Sequence, residues 1–434
     1  MDNSLKNKRL LVLGGTLISC EIIKKAKELG CFVAVADYNS VEDSPGKQIA
    51  DAAFDVSATD VDAVVDLIKK ENIEGVLVGF NDMLLPYYAE ICEKAGLPAY
   101  GTKEQFEIFI NKDRYKALMR EHNVPTVEEY QVDPDNFEAT AKDIKYPVLV
   151  KPADSSGARG ITICRSADSL KEAVQKAKDF SKTGVVLVER YMEGREATVF
   201  WVFSDGEYYL TAIGNRHVKN NQEGVIPLPV GYTYPASVLP KYRSEVEENC
   251  KEMFRAAGIK NGMMFMQCKI EDGTCVVYDI GFRLTGSLEY NNIKDACGFD
   301  PMEMMIRFAL TGKMSEDNIG NAADPEFGGR YGFNVSCLSA PGKIAELTGV
   351  EEVKAFPEVI DAVIAHYPGE TITEDMKGLL AQITVRVLGT VDSEEQLYDI
   401  MRRIEKTIHI VSDDGRELML AGIEPEDIEG YILR

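Results

Sequence analysis

The sequence predicts a multidomain chain of α/β and α+β class that opens on a doubly wound parallel sheet and closes on a small α+β unit. Residues 8–100 alternate short apolar runs with segments at helical spacing, in the order β-α-β-α-β. That order implies a parallel sheet joined by right-handed crossovers. From about residue 329 the pattern changes to strands and one capped helix. A chain of 434 residues, 45% of them hydrophobic, is also too long for one ordinary domain.

The first apolar run, 10–13, ends at Gly14-Gly15-Thr16. Ile18, Ile22, Ala26 and Leu29 follow at helical spacing, and Gly30 stands where a C-cap glycine belongs. A second strand, 32–36, ends in Asp37; a helix is expected over 60–70 and a third strand over 75–79. A glycine turn with an acid about twenty residues on invites a dinucleotide reading, but the run from Gly14 is GGTLIS and lacks the glycines of G-x-G-x-x-G. A structural turn or the wall of a substrate pocket fits better. Asn81-Asp82 follows the third strand, at the carboxyl edge where open parallel sheets place ligands; a solvated turn is the other reading.

Residues 106–121 read as helical, with Lys112 beside Asp113 and Arg114. The stretch 146–161, YPVLVKPADSSGARGI, is an apolar strand ending in Lys151, a proline that stops the pairing, and a small-residue loop containing Ser155, Ser156, Gly157 and Arg159. Small residues let backbone N–H groups approach anionic oxygens, and Lys151 and Arg159 add positive charge, so a polyphosphate is the natural ligand. An ordinary surface hairpin with a flexible tip has the same pattern. An amphipathic helix follows over 167–178. Residues 185–203 form an apolar run through Glu189, then Arg190-Tyr191-Met192, a turn at Glu193-Gly194, and a new strand opening on Glu196. A strand edge there can meet a purine edge, with Glu189 accepting from an exocyclic amine and Glu196 from ribose hydroxyls. The alternative for both glutamates is surface solvation.

Residues 213–236, polar and then rich in Pro, Gly and Tyr, read as a long loop whose Arg216, His217 and Lys219 can reach an anion. One helix is expected over 243–257. Strands over 263–270 and 275–280 are joined by an Asp-Gly turn, with Gln267 in the first and Asp279 in the second. Magnesium takes oxygen ligands, usually one or two carboxylates with substrate phosphates, and this pair can face one side of the hairpin. Near the end, Ser393 to Gln396 is a capping box, and Leu397, Ile400, Met401 and Ile404 form the buried stripe of its helix.

Composition narrows the function. With 48 Lys and Arg against 71 Asp and Glu, the formal charge is −23. That disfavours nucleic acid or an anionic membrane as partner. No apolar run approaches membrane-spanning length, and the nine cysteines form no C-x-x-C pair, so reduced packing thiols in a cytoplasmic protein are expected. The four histidines are scattered, against a His-rich zinc centre.

The order of these parts resembles the ATP-grasp superfamily over nearly the whole chain, in the L-amino-acid ligase and carbamoyl-phosphate-synthase-like branch. The resemblance implies a pre-ATP-grasp domain over 1–105, a two-lobed ATP-grasp domain over 106–328 with a lid subdomain at about 120–190, and a C-terminal α+β domain over 329–434. It implies ATP as cofactor, with Lys112 and Lys151 on the phosphates and the loop of Ser155, Ser156 and Gly157 as lid. Glu189, Arg190, Tyr191 and Met192 become the adenine hinge and Glu196 the ribose acceptor. Gln267 and Asp279 become ligands of Mg²⁺ or Mn²⁺, and Arg283, with Lys151, is the implied catalytic cation. The family pattern E-x-N-x-R stands here as Asp279-Ile280-Gly281-Phe282-Arg283, so Gly281 leaves a gap that an asparagine should be able to fill. The implied activity is carboxylate–amine ligation, in which a small carboxylate, an amino acid, is activated as an acyl phosphate and joined to an amine with release of ADP and phosphate. A carboxylase, an enzyme that releases an acyl phosphate, or a degenerate ATP-binding regulatory protein without ligase activity is the alternative, and a homodimer is compatible with the family.

Overall fold

The apolar run at 10–13 becomes the interior of the first strand. Strands β1 (Arg9–Leu13), β2 (Phe32–Asp37), β3 (Ala52–Asp55) and β4 (Gly75–Leu77) form a parallel sheet in the order β3-β2-β1-β4. The computed structural model of the protein describes residues 3–132, 140–154, 160–219 and 227–433. Leu10 to Leu13 and Val33 to Ala36 are buried, as strands covered on both faces require. The expected helix at 60–70 is Val61–Glu71, capped by Asp60, whose side chain accepts from the Ala63 N–H at 3.1 Å. β3 has no counterpart in the sequence reading, because its four residues alternate between partly buried and exposed and leave no apolar run. The turn at Gly14-Gly15 is packed from within: the Gly15 N–H donates to Asp37 at 2.8 Å, and Ser44 Oγ occupies the space a Cβ at Gly15 would need.

A second sheet, β5 (Glu129–Tyr130), β6 (Val148–Pro152), β7 (Thr162–Cys164) and β8 (Val186–Arg190), runs in the order β5-β8-β6-β7. Helix Ala167–Phe180 covers it, burying Leu170, Ala173, Val174 and Ala177 against Val148, Val150, Cys164 and Val188.

The largest sheet has eight strands. It takes in β9 (Glu196–Ser204), β10 (Glu207–Lys219), β11 (Leu228–Tyr234), β12 (Gly262–Glu271), β13 (Thr274–Gly281), β14 (Tyr331–Leu338), and then, further along the chain, Val359–Ile364 and Ile383–Val391. Counting β15 (Gly342–Thr348) and β17 (Thr371–Ile372), these last two are β16 and β18, and the order is β13-β12-β9-β10-β11-β14-β18-β16. β19 (His409–Ser412) closes a small sheet with β15 and β17. Asp272 and Gly273, both at positive φ (51° and 76°), make the tight turn between β12 and β13. The capped helix is Glu394–Thr407, with Ser393 accepting from the Gln396 N–H.

Two expectations are corrected. Residues 213–236 are mostly the paired strands β10 and β11, and every residue of β11 is buried. The helix at 243–257 is two helices, Leu239–Glu245 and Glu247–Ala256, meeting at Val246 outside helical geometry (φ −123°). No helix among the described residues is long and apolar enough to cross a membrane. All nine cysteines are free thiols.

Candidate active site

The site starts from helix Lys112–Glu121. Asn111 caps it, its side chain accepting from the N–H groups of Asp113 (3.0 Å) and Arg114 (3.2 Å). The cap fixes Lys112 in the first turn, and helical spacing puts Tyr115 and Lys116 on the same face. That face meets β6 and β8. Leu149 of β6 lies opposite Glu189 of β8, so Lys151 is Glu189's diagonal neighbour on the same face. Val148 and Val150 alternate to the other side, into the core under helix Ala167–Phe180. Lys151 Nζ reaches Glu189 Oε1 at 2.8 Å.

Glu189 also lies directly opposite Glu129 of β5. Two acids facing each other across a sheet repel. Lys116, whose side chain is 0% exposed, sits between them, paired with Glu189 Oε1 and 3.0 Å from Glu129 Oε1. Arg120 also pairs with Glu129. From the eight-stranded sheet, β13 brings Asp279 to 3.4 Å from Lys112 Nζ, and Tyr115 donates to the same Asp279 oxygen at 3.2 Å. Lys151 Nζ also donates to the Tyr278 carbonyl at 3.4 Å. The structure therefore gathers Lys112, Lys116 and Lys151 with Glu129, Glu189 and Asp279.

The charges act on one another. Burial, only partly offset by Glu189, pulls Lys151 down to about 8, and Lys116 and Lys112 push the same way. Desolvation raises Glu189, but Lys151 and Lys116 outweigh it and hold the carboxyl below its ordinary value. At Asp279 desolvation is likewise outweighed, by Lys112 and then Lys151, and the group stays ionised.

The remaining residues lie around this cluster. Gln267 is directly opposite Asp279 across β12 and β13. Met192 packs with Val127 and Val276, an apolar wall next to Glu189. The Arg190 side chain forms a bidentate pair with Glu271 (2.7 and 2.8 Å). The N–H groups of Arg190 and Tyr191 already donate to the carbonyls of Glu128 and Pro147. Glu196 is flanked across both neighbouring strands by cations, Arg216 on β10 and Lys269 on β12 (2.8 Å), and accepts from the Tyr278 hydroxyl at 3.1 Å. Arg216 is thus held by an acid. His217 is buried against the Thr233 hydroxyl, and Lys219 pairs with Glu424 and Asp427. Arg283 forms a bidentate pair with Asp82 (2.6 and 2.7 Å), tying the end of β13 to the carboxyl edge of the N-terminal sheet. Ser155, Ser156 and Gly157 lie outside the described residues.

One expectation about the metal ligands is corrected. The gap at Gly281 is filled: a Cβ there would stand 2.3 and 2.5 Å from ring carbons of Phe265, which lies directly opposite. Among the described residues no three His, Cys, Asp or Glu side chains gather as a metal site. Asp279 and Gln267 offer a hard cation one carboxylate and one amide oxygen, which suits Mg²⁺ when phosphate oxygens and water complete its shell.

Sequence reasoning missed Lys116, Glu129 and Tyr115. Lys116 had a usable signal, since it lies one helical turn from Lys112.

Residues 111–316 match the family model described as carbamoyl-phosphate synthase L chain, ATP binding domain. The 2-oxoglutarate carboxylase small subunit of Hydrogenobacter thermophilus is 30% identical over 353 residues, covering 74% of this chain and 73% of that one. The chain belongs to the ATP-grasp superfamily. Its fold agrees with that of an L-amino acid ligase from Bacillus licheniformis (TM-score 0.74, 20% identity, 94% of this chain and 99% of that one). It also agrees with the biotin carboxylase domain of the Hydrogenobacter thermophilus 2-oxoglutarate carboxylase, a dimer solved with MgADP, ADP and bicarbonate (TM-score 0.76, 21% identity, 95% and 91%). This ATP-grasp chain is an enzyme of the ATP-dependent ligase class. It spans 30% of the carbamoyl phosphate synthase large chain of Clostridium beijerinckii, which it also matches.

Proposed function

We propose that this ATP-grasp enzyme is a carboxylate–amine ligase that activates a small carboxylate, an amino acid, as an acyl phosphate and passes the acyl group to an amine, releasing ADP and phosphate. The observation that carries the reading is the convergence of Lys112, Lys151 and Asp279 in one cluster, with Gln267 opposite Asp279 and Arg283 four residues beyond it. Lys112 and Lys151 are placed to screen phosphate charge, and Met192 with the neighbouring carbonyls to hold the purine. Mg²⁺, held by Asp279 and Gln267, would supply charge neutralisation at the transferring phosphate. Catalysis of this kind rests on positioning and electrostatics, so no serine or cysteine nucleophile is needed. Arg283, fixed by Asp82, is a preorganised cation for the carboxylate or the phosphoryl group.

The test is ADP release from ATP and Mg²⁺ with the twenty protein amino acids, singly and in pairs. Release that depends on an added amino acid is the expected result. No release with any of them overturns the ligase reading. The carboxylase relative, whose biotin carboxylase domain was solved with bicarbonate, favours a second reading, for which bicarbonate with biotin would drive release instead. A homodimer is part of the proposal, checked by sedimentation.

A further inference from the structure

Beyond Arg283 the chain makes a short, strained excursion. Leu288 adopts φ +62°, ψ +20°, a left-handed conformation that a bulky residue rarely takes. Such strain persists where the surroundings fix it, and it is a sign of function when something is aimed by it. What it aims is Glu289, the next residue, whose side chain is fully buried. Ser287 donates to Glu289 Oε2 at 2.8 Å, while Oε1 has no hydrogen-bond partner among the described residues.

Glu289 is linked to the guanidinium of Arg386 on β18 through Ser287 and Asn334, and the two form no ion pair within 4.0 Å among the described residues. Arg386 makes one hydrogen bond there, Nη1 to Asn334 Oδ1 at 3.1 Å, and keeps 8% exposure. The hydroxyls of Tyr234 and Tyr290, both among the groups whose charge acts on Arg386, are buried without hydrogen-bond partners among the described residues, as is that of Ser336, the residue directly opposite Arg386 on β14. Asn334 is held in turn by the Ser287 carbonyl. A buried acid, a guanidinium and three hydroxyls with this much unused hydrogen-bonding capacity are costly to fold unless something completes them.

We infer that Arg386, Glu289 and the hydroxyls of Tyr234 and Tyr290 form the seat of the amine-bearing substrate, an α-amino acid with its carboxylate on Arg386 and its amine on Glu289. The inference rests on the ligase reading for the word substrate, and on the orphaned groups for the chemistry. A guanidinium with flanking hydroxyl donors matches a carboxylate, and an unpartnered carboxylate oxygen matches an ammonium. Burial, against the Ser287 bond, lifts Glu289 to about 8, and a bound ammonium would restore its charge.

The test uses the full chain without nucleotide. Each of the twenty protein amino acids, and propionate and ethylamine as half-ligands, is titrated by calorimetry. At least one amino acid should bind, and each half-ligand should bind about tenfold or more weakly, because each meets one end of the seat. Glu289→Gln and Tyr290→Phe should weaken amino-acid binding about tenfold while ATP affinity stays within about twofold. Tyr290→Phe removes a hydroxyl with no partner, so its unliganded melting temperature should match the wild type. A fall would point to a structural water and overturn the seat, as would equal amino-acid affinity in both variants or no binding at all. Amino-acid-dependent ADP release that survives in both variants would remove the seat and leave the ligase reading. Binding that the variants lose, with no ADP release from the wild type, would do the reverse.

Discussion

Gln267 and Asp279 stand directly opposite each other on adjacent antiparallel strands, so their side chains leave the same face of the sheet. Asp279 is the member that carries charge. Asp279→Asn keeps the shape and removes the charge that a cation and Lys112 both face, so kcat for ADP release should fall by about a hundredfold or more. Raising Mg²⁺ should not rescue it. Turnover equal to the wild type would remove Asp279 from the metal site.

The other departure from the family pattern behaves differently. With the Phe265 ring 2.3 Å from where a Cβ at residue 281 would lie, Gly281→Asn forces the ring and the strand apart. Overpacking of this kind costs about 1–3 kcal/mol, read as a lower urea midpoint. Adding Phe265→Ala should recover part of it. An unchanged midpoint in Gly281→Asn would mean the ring gives way freely.

Lys151 has an ordinary value of 10.5 and is pulled by burial to about 8. Below pH 8 it is protonated folded and unfolded, and the cost of burying its charge is fully present. Between 8 and 10.5 the unfolded chain binds more protons, so this residue's contribution to stability rises with pH. A polyphosphate favours the charged form. Binding of Mg²⁺-free ATP at about pH 8.5 should therefore take up a proton, and at about pH 7 it should not. Calorimetry in two buffers of different ionisation enthalpy measures the uptake. Zero uptake at the higher pH would place Lys151 away from the phosphates.

Lys116→Met leaves Glu129 and Glu189 facing each other with their shared buried cation gone. Removing one partner from a buried ion cluster destabilises by about 3–5 kcal/mol. The urea midpoint should fall accordingly, and Glu129→Gln in the same chain should restore a share of it. If Lys116→Met alone is neutral, the cluster's acids are neutralised by other means.

Much of this was legible in the sequence wherever one local signal agreed with one structural role. The Asp-Gly turn and the cap at Ser393 each became the element they announced; the run to Lys151 became β6, but the proline expected to stop the pairing, Pro152, is the strand's last residue and pairs with Val186. The failures share a cause: they depend on partners far away in sequence. β11 reads as loop because it contains Pro229 and Gly231. Pro229 sits beside the register shift between His217 and Val218, where the ladder is already irregular, and Gly231 is required because the Asn334 carbonyl approaches to 2.4 Å of its missing Cβ. Glu129 belongs to a two-residue strand, too short for any periodicity. Its role appears only once β8 places Glu189 across from it.

The pairing of β11 with β14 has a consequence for taking the molecule apart. A chain cut after residue 328 would keep the strands up to β11 but strip the neighbour from that edge. The bared strand, seven residues long and buried throughout in the intact protein, would be a template for another copy of itself. The isolated nucleotide-binding portion should then be recovered as aggregate, and the C-terminal strands act as its solubilising flank.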